Sequence, residues 1–203
     1  VNDNLVDGTI TSTITVAVND GSSDNNFDPV NDQTVSVSTV DDDAAGFTIV
    51  QTGGSTAVAE TGTTDTFTVV LDAQPNSNVV LSVTSGDTGE STVSTGNLTF
   101  TSGNWNTPQT VTVTGVDDNI IDGTVTSVIT LSVVDAVTDD NFDAVANQTV
   151  SATTADNDTA GFTVVESGGS TSVSETGTTD TFTVVLNAQP DSDVVFIIAS
   201  NDT

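Results

Sequence analysis

The chain of 203 residues carries 29 acidic side chains and contains no lysine, arginine or histidine, which gives a formal net charge of −29. With no basic side chain to contact phosphate, we expect neither nucleic-acid binding nor attachment to an anionic membrane. Cysteine is absent, which excludes disulfides, and no apolar stretch is long enough for a membrane-inserting helix. Val, Ile, Leu and Phe nevertheless recur with a two-residue period, which favours folded strands over disorder.

The sequence repeats itself with a period of 115 residues, and about 55 of the 88 comparable pairs are identical. This period is that of a whole domain. We therefore predict that residues 1–45 are the C-terminal part of one repeat, 46–160 a complete repeat, and 161–203 the N-terminal part of the next. We interpret the chain as a section of a longer array. Completion of the two end pieces by each other, between molecules, is less favoured because together they lack a counterpart of residues 90–115.

The complete repeat is predicted to consist of short strands separated by Gly, Asn, Asp and Ser turns. Alternation along them predicts one buried face, which holds Phe67, Val69 and Leu71 in one strand. This pattern predicts an all-β protein made of tandem immunoglobulin-like Greek-key β-sandwich domains, with about seven strands each. In chain order the segments are Gly46–Val50 and Ser55–Ala59 (one strand split at Gly53-Gly54), Asp65–Leu71, Asn78–Ser85, Thr92–Ser94, Leu98–Phe100, Gln109–Gly115, Thr124–Val134 and Gln148–Thr154.

Acidic residues recur at the strand ends of each repeat. In a Greek-key sandwich the loops after alternate strands lie at one end, so we expect these carboxylates to meet there. In the complete repeat they are Glu60, Asp87, Asp117, Asp118, Asp122, Asp156 and Asp158. Their counterparts in the other repeats are Asp3, Asp7, Asp41, Asp43, Glu175 and Asp202, and Asp42 is a further candidate at the position of Asn157.

A carboxylate cluster without a basic partner predicts a bound cation. Two carboxylates 4 Å apart repel by about 4 kcal/mol at an effective dielectric constant of 20. A donor set made only of oxygen favours Ca²⁺, and about two to four ions would neutralise the seven carboxylates. The alternative is a solvated acidic loop of a salt-adapted protein.

The order of these motifs resembles the Calx-beta family, which is known from sodium–calcium exchangers, integrin β4 and very large bacterial surface proteins. The resemblance is carried by Val-x-Glu-x-Gly, then Leu-Thr-Phe with a Gly-Asn-Trp loop, then Val-Thr-Val-x-x-x-Asp-Asp-x-x-x-Asp, then a terminal Asp-x-Asp. It implies a sandwich that binds Ca²⁺ where the chain exits, with Glu60, Asp117, Asp118, Asp122, Asp156 and Asp158 matching the ligand pattern and Asp87 as a further candidate. The family commonly has Glu in place of Asp122 and a third acid in place of Asn157.

Two further features leave alternatives open. A second acidic run, from Asp135 to Asp143, is expected in the loop before the last strand, at the same end as the other acids. It could hold an additional cation or be a solvated loop, with Phe142 fixing the loop to the core. Trp105, in the Gly-Asn-Trp loop, is predicted to cap the core, and sugar stacking is the alternative.

These observations predict a structural repeat of an extracellular, calcium-stiffened array, such as an adhesin stalk or surface filament on the cell surface. Its partners would be neighbouring repeats of the same chain, and like chains in a filament or bundle. A carbohydrate- or surface-binding adhesion module is the alternative, prompted by threonine rows such as Thr110, Thr112 and Thr114. We do not expect an enzyme, because no His, Cys, Lys or Tyr is present to act as base or nucleophile.

Overall fold

The computed structural model describes residues 2–201. Within these residues the chain forms thirteen strands and four single 3-10 turns, at Asp20–Ser22, Thr52–Gly54, Asp135–Val137 and Ser167–Gly169. No helix in this range is long and apolar enough to cross a membrane. The strands are β1 Ile10–Val16, β2 Gln33–Thr39, β3 Phe47–Gln51, β4 Thr56–Ala59, β5 Thr64–Leu71, β6 Val79–Ser85, β7 Ser91–Val93, β8 Asn97–Phe100, β9 Gln109–Gly115, β10 Val125–Val133, β11 Gln148–Ala155, β12 Phe162–Glu166 and β13 Phe182–Leu186.

The central repeat is a sandwich of two sheets. One sheet has the order β4-β11-β10-β6-β8, and the other has the order β3-β5-β9-β7. The alternating apolar residues face each other across the two sheets, and Phe67, Val83, Val111 and Ile129 are at most 1% exposed. The predicted immunoglobulin-like all-β fold is confirmed, with nine strands where about seven were expected. These strands lie between Phe47 and Ala155, and the boundaries 46–160 stay a prediction.

The first strand is split between the two sheets, as its Gly-Gly break predicts. β3 pairs antiparallel with β5, whereas β4 pairs parallel with β11, so that Ala59 lies opposite Ala155. The chain crosses between the sheets at Thr52–Gly54. Gly53 has a φ of 70° there, a backbone conformation that residues other than glycine rarely adopt. This crossing brings the end of β4 beside the end of β11.

The two flanking repeats contain only the hairpins whose partners are close in sequence. β1 pairs with β2, and β12 pairs with β13, in the registers of their counterparts in the central repeat. Their apolar faces are open: Ile14 is 53% exposed and its counterpart Ile129 is 0% exposed. Residues 194–200, the counterpart of β6, form no strand, because the counterparts of the β8 and β10 partners lie beyond residue 203.

The second acidic run lies at the opposite end from the other acids, so the predicted position was wrong. β10 begins beside the end of β11 and ends beside the start of β6, where Val133 pairs with Leu81. The loop after β10 is therefore beside Ser77 and Asn78. Asp139 is buried there and accepts hydrogen bonds from the backbone N–H groups of Ser77 (2.8 Å) and Asn141 (3.1 Å).

Asp139 thus fixes the loop through neutral donors, whereas Asp135, Asp140 and Asp143 of the same run are exposed. The contacts of Asp139 do not decide between an additional cation site and a solvated loop, and both stay predictions. The aromatic residues of this loop and of the Gly-Asn-Trp loop do pack as expected. Phe142 is 1% exposed, and Trp105 is half-buried against the core cluster.

The absence of a side chain at Gly115 allows β4 to pack closely against β9. A Cβ atom at this position would lie 2.1 Å from the carbonyl oxygen of Ala59, which is backbone and cannot turn away. We predict that Gly115→Ala lowers the free energy of unfolding by about 2–3 kcal/mol through overpacking. Urea unfolding followed by the fluorescence of Trp105, the only tryptophan, measures the change.

The control is Gly96→Ala, since a Cβ atom at Gly96 meets nothing within 4 Å and the residue needs no positive φ. This variant is expected to unfold within about 0.5 kcal/mol of the parent chain. Equal unfolding free energies for the two variants would contradict the account of Gly115.

Candidate metal centre

The parallel pairing of β4 with β11 creates the acidic site. Because Ala59 and Ala155 lie side by side, the next residues, Glu60 and Asp156, leave the sheet together. The backbone N–H of Glu60 donates to the carbonyl of Ala155 at 3.1 Å, which extends the pairing by one step. β6 and β9 also end at this side, and β10 begins there, so that their loops surround Glu60.

Three of the predicted residues meet closely. Carboxylate oxygens of Glu60, Asp156 and Asp158 lie within 4.8 Å of one another. Calcium–oxygen distances of 2.3–2.6 Å place two oxygens on one ion at most about 5 Å apart. The trio therefore has a spacing that one Ca²⁺ can span.

Asp156 organises the loops around it by accepting backbone hydrogen bonds. Its Oδ1 accepts from the N–H of Asp158 at 2.6 Å, and its Oδ2 accepts from the N–H of Gly123 at 2.9 Å. Gly123 has a φ of 76°, which turns its N–H toward Asp156 in a conformation that favours glycine. The N–H groups of Asp158, Gly123 and Asp122 lower the pKa of Asp156, so this carboxylate is charged and held in place by neutral donors.

Glu60 is buried and incompletely compensated. The backbone N–H of Asn157 donates to its Oε2 at 3.0 Å, and this bond alone would lower the pKa of Glu60. The pKa of Glu60 is nevertheless raised, because burial and the negative charges of Asp156, Asp118 and Asp122 together outweigh that hydrogen bond. A positive ion beside Glu60 would reverse this imbalance.

Asp158 has a buried oxygen without a donor. Its Oδ2 accepts no hydrogen bond from any residue between 2 and 201. Burial, followed by the charges of Asp156, Asp117 and others, raises the pKa of Asp158. The unpartnered oxygen belongs to the trio that could hold one ion.

Glu90 is a functional candidate that the sequence interpretation missed. It is 7% exposed, and its Oε2 is buried with no donor among the described residues. Burial raises the pKa of Glu90, and the charges of Asp122, Asp87, Asp118 and Glu60 raise it further, so it faces the same cluster. Its counterparts in the other repeats would lie before residue 1 and after residue 203, so the repeat could not single it out.

The four remaining predicted carboxylates of the central repeat lie around this centre. The side-chain amide of Asn157 donates to Asp117 Oδ1 at 2.7 Å, and the backbone N–H of Ile120 donates to Asp118 Oδ1 at 2.6 Å. Asp87 is exposed and accepts from the N–H of Gly89 at 3.0 Å. Asp87 and Asp122 are both near enough to raise the pKa of Glu90, so the predicted gathering at one end is observed.

The preceding repeat contains the same hydrogen bonds around Asp41, the counterpart of Asp156, but Asn2 replaces Asp117 and its carboxylate trio is Asp41, Asp42 and Asp43. Asp41 accepts from the N–H groups of Asp7 (2.9 Å), Gly8 (2.8 Å) and Asp43 (2.9 Å), which lower its pKa. Burial raises the pKa of Asp43, as do the charges of Asp41, Asp42, Asp3 and Asp7. Oxygens of Asp41, Asp42 and Asp43 lie within 4.8 Å of one another. A cavity of about 590 Å³ is lined by Asn2, Asp3, Asp7, Gly8, Ile10, Thr39, Val40, Asp41, Asp42 and Asp43.

The following repeat brings no such group together in the part that the structure describes. Glu175, the counterpart of Glu60, is exposed in a turn. The counterparts of Asp156 and Asp158 lie beyond residue 203, and Asp202, the counterpart of Asp87, is outside the described residues. The prediction for Glu175 therefore stays a prediction.

Solved structures share a β-rich fold with parts of this chain. Domains 4 and 5 of the S-layer protein SbsC align over 71% of this chain and 57% of that one, with 22% identity and a TM-score of 0.40. The apo-form Calx CBD1 domain aligns over 55% of this chain and 98% of that one, with 15% identity and a TM-score of 0.37. The E. coli chaperone DraB aligns over 55% of this chain and 57% of that one, with 6% identity and a TM-score of 0.39.

These likenesses are distant, and they say nothing about function. The chain spans 57% of the length of both DraB and the SbsC fragment. No protein-family profile matches the chain. No curated protein matches it either. The resemblance to the Calx-beta family therefore rests on the order of its motifs.

The raised carboxyl pKa values predict an unusual pH dependence in the absence of divalent ions. Glu60, Glu90 and Asp158 bind protons more tightly in the folded chain than in the unfolded one. The contribution of these three carboxyl groups to the free energy of unfolding is complete below the ordinary carboxyl pKa of about 4. It is lost as the pH rises through their raised pKa values in the folded chain. We expect the thermal unfolding midpoint to increase as the pH is lowered from 7 to about 5. Asp156, whose pKa is lowered, acts in the opposite direction only below about pH 4.

Glu90→Gln is the matched variant for this measurement. It removes one of the carboxyl groups with a raised pKa and keeps the shape of the side chain, so we expect a higher midpoint at pH 7 and a shallower slope of midpoint against pH. A parent midpoint that falls steadily from pH 7 to pH 5 would contradict the electrostatic picture.

Proposed function

We propose that this chain is a structural array of β-sandwich repeats that binds Ca²⁺ at the end of each repeat, where one repeat meets the next. One observation carries the proposal. Glu90 has a buried carboxylate oxygen that finds no donor between residues 2 and 201, beside the buried Glu60 and the carboxylates of Asp122 and Asp118, in a sequence without any basic side chain. A cluster of this kind is stable at neutral pH only with protons or with a cation from solution.

The donor set favours Ca²⁺ over other ions. The chain contains no His or Cys, so the nitrogen and sulfur ligands that Zn²⁺ and copper prefer are absent. Mg²⁺ requires a compact octahedral set at about 2.1 Å, whereas Ca²⁺ accepts six to eight oxygens with flexible geometry. The carboxylates come from four separate loops, which suits the larger and more tolerant ion. The Calx-beta resemblance points to the same ion.

The loop that supplies three carboxylates also reaches the next repeat. Asp118 and Asp122 flank Ile120, and Ile120 forms a parallel bridge with Gln189 of the following repeat. The backbone N–H of Gln189 donates to the carbonyl of Asn119 at 2.6 Å. An ion held by Asp118 and Asp122 would therefore hold this contact in place, whereas repulsion between the carboxylates would loosen it.

The proposed role is mechanical and not catalytic. A carboxylate pair is the only general acid–base chemistry that the composition allows, and metal binding accounts for the clustered acids. Trp105 packs against the core, which supports the capping role. The threonine rows have no distinguishing feature, because the outward faces of both sheets are rich in Thr and Ser.

We further propose an extracellular or cell-surface location, as in an adhesin stalk or surface filament. The absence of Lys and Arg removes the cleavage sites of trypsin-like proteases, and the absence of Cys and Met removes the side chains most easily oxidised. Calcium at millimolar concentration outside cells would saturate sites even of modest affinity. Neighbouring repeats are the direct partners, and divalent ions could bridge like chains into a bundle.

Calcium binding should raise thermal stability. Saturation to 100 times the dissociation constant adds about 2.7 kcal/mol for one site, so we expect the unfolding midpoint at pH 7 to rise by at least several degrees when excess CaCl₂ replaces a chelator. Asp156→Asn should remove most of this rise, because Asp156 both binds the ion and positions the loops of Asp158 and Gly123. Differential scanning calorimetry measures the midpoint.

Asp72→Asn is the control for the loss of one charge. Asp72 is exposed at the end of β5, and the same position in the next repeat is naturally Asn187. This variant is expected to keep the full calcium response. A parent chain with equal midpoints in CaCl₂ and in chelator would refute calcium binding at these carboxylates.

Calcium should also slow hydrogen exchange in the loops of the centre. We predict stronger amide protection of residues 2–8 and 117–123 in CaCl₂ than in chelator, because ordered loops open less often. The exposed turn Thr52–Gly54 supplies no carboxylate and is the internal reference. Mass spectrometry of peptic fragments resolves these segments. A uniform change across all segments would indicate general stabilisation and would count against a stiffened junction.

A further inference from the structure

One residue of the preceding repeat lies in the hydrophobic core of the central repeat. Val6 is 9% exposed and belongs to the same buried cluster as Ala73 and Phe142 of the central sandwich. It lies in the loop before β1, the counterpart of the loop that contains Ile120 and Ile121. The core of the central repeat is therefore completed by a side chain from outside that repeat.

The backbone of this loop is also bound by the central repeat. Val6 N–H donates to the carbonyl of Gln74 at 3.0 Å, and Gln74 N–H donates to the carbonyl of Asn4 at 2.7 Å. The side-chain amides of Asn76 and Asn141 both donate to the carbonyl of Val6, at 2.8 and 2.9 Å. Both backbone polar groups of Val6 thus find their partners in the next repeat, as burial requires.

The second junction uses the same pairing in a less complete form. Leu5 bridges Gln74, and 115 residues later Ile120 bridges Gln189, both in parallel orientation. Ile121, the counterpart of Val6, is 38% exposed. The counterpart of the Asn141 loop lies beyond residue 203, and Asp191, which cannot donate, replaces Asn76. The side chain is thus buried fully only where the acceptor repeat has its complete end surface.

We propose that the loop before β1, and its counterpart after β9, is a docking element that inserts one aliphatic side chain into the core of the following repeat. The acceptor surface consists of the Ala73–Asn76 turn and the β10–β11 loop that Asp139 anchors. Each repeat is then stabilised by the repeat before it, and the dependence runs in one direction along the chain. This contact is built from apolar burial and neutral hydrogen bonds, so it goes beyond the proposed calcium role and does not require the ion.

The test removes the inserted side chain in the full chain. Val6→Ala deletes two buried carbon atoms, and we expect the folding equilibrium constant of the central repeat to fall by roughly tenfold. Urea unfolding in chelator, followed by Trp105 fluorescence, reports on that repeat, because Trp105 packs against its core.

Asn141→Ala, which removes one donor to Val6, should give a smaller loss. The two losses should not be additive, because both act on Val6.

Two controls separate docking from other effects. Val16→Ala makes the same deletion in the same repeat at a side chain that is 59% exposed, and it should leave the Trp105 transition unchanged. Val6→Ile, which introduces the residue found at position 121, should retain the parent stability to within about threefold. A Trp105 transition of Val6→Ala that coincides with that of Val16→Ala would overturn the proposal. Failure of calcium binding would leave this result unchanged, because every measurement is made in chelator.

Discussion

The absence of any positively charged side chain is the constraint on which the other features of this protein depend. Each of the 29 acidic groups must be satisfied by a neutral donor, by water, by a proton or by an ion from solution. Asp139 shows that neutral backbone donors can be sufficient. Glu60 and Glu90 show where they are not, since each is buried with a raised pKa. The division between these two kinds of carboxylate distinguishes structural acids from candidate ligands.

The fold determines which carboxylates have neutral donors and which do not. Antiparallel strands alternate in direction, so their connecting loops divide between the two ends of the sandwich. The single parallel pair within the central sandwich, β4 with β11, places Glu60 beside Asp156 at the exit end. The entry end has Asp139, which has donors on both of its oxygens, and an apolar surface that receives Val6. In the central repeat the buried carboxylate oxygens without a donor among the described residues thus lie where the repeat ends, and the apolar contact surface lies where it begins.

Much of this arrangement could be predicted from the sequence. Strand alternation is visible within each short segment, and the 115-residue period appears when the sequence is compared with itself. The strand segments, the split at Gly53-Gly54 and the gathering of Glu60 with Asp156 and Asp158 followed from them. Glu90 was missed because its burial depends on packing against residues distant in sequence, and neither neighbouring repeat includes its counterpart. The loop of Asp139 was placed at the wrong end because its composition resembles that of the ligand loops. Only the direction of β10 distinguishes the two.

The contact of Val6 could not be predicted either, since a valine between Leu5 and Asp7 in an acidic loop gives no indication of burial. The secondary structure of the two end segments also shows which elements depend on distant partners. The hairpins β1–β2 and β12–β13 form with their own partners, whereas residues 194–200 remain without strand structure. A buried face thus needs the opposing sheet and the adjacent repeat.

The recurrence of one backbone bridge at both junctions has a geometric consequence. If Leu5–Gln74 and Ile120–Gln189 fix the same relation between successive repeats, a chain of such repeats follows a single screw operation and traces a superhelix. The pitch and handedness of that superhelix would be determined at one joint and would then apply along its entire length. A substitution that changes the angle by a few degrees, repeated in every unit, would add up to a different curvature of the whole filament.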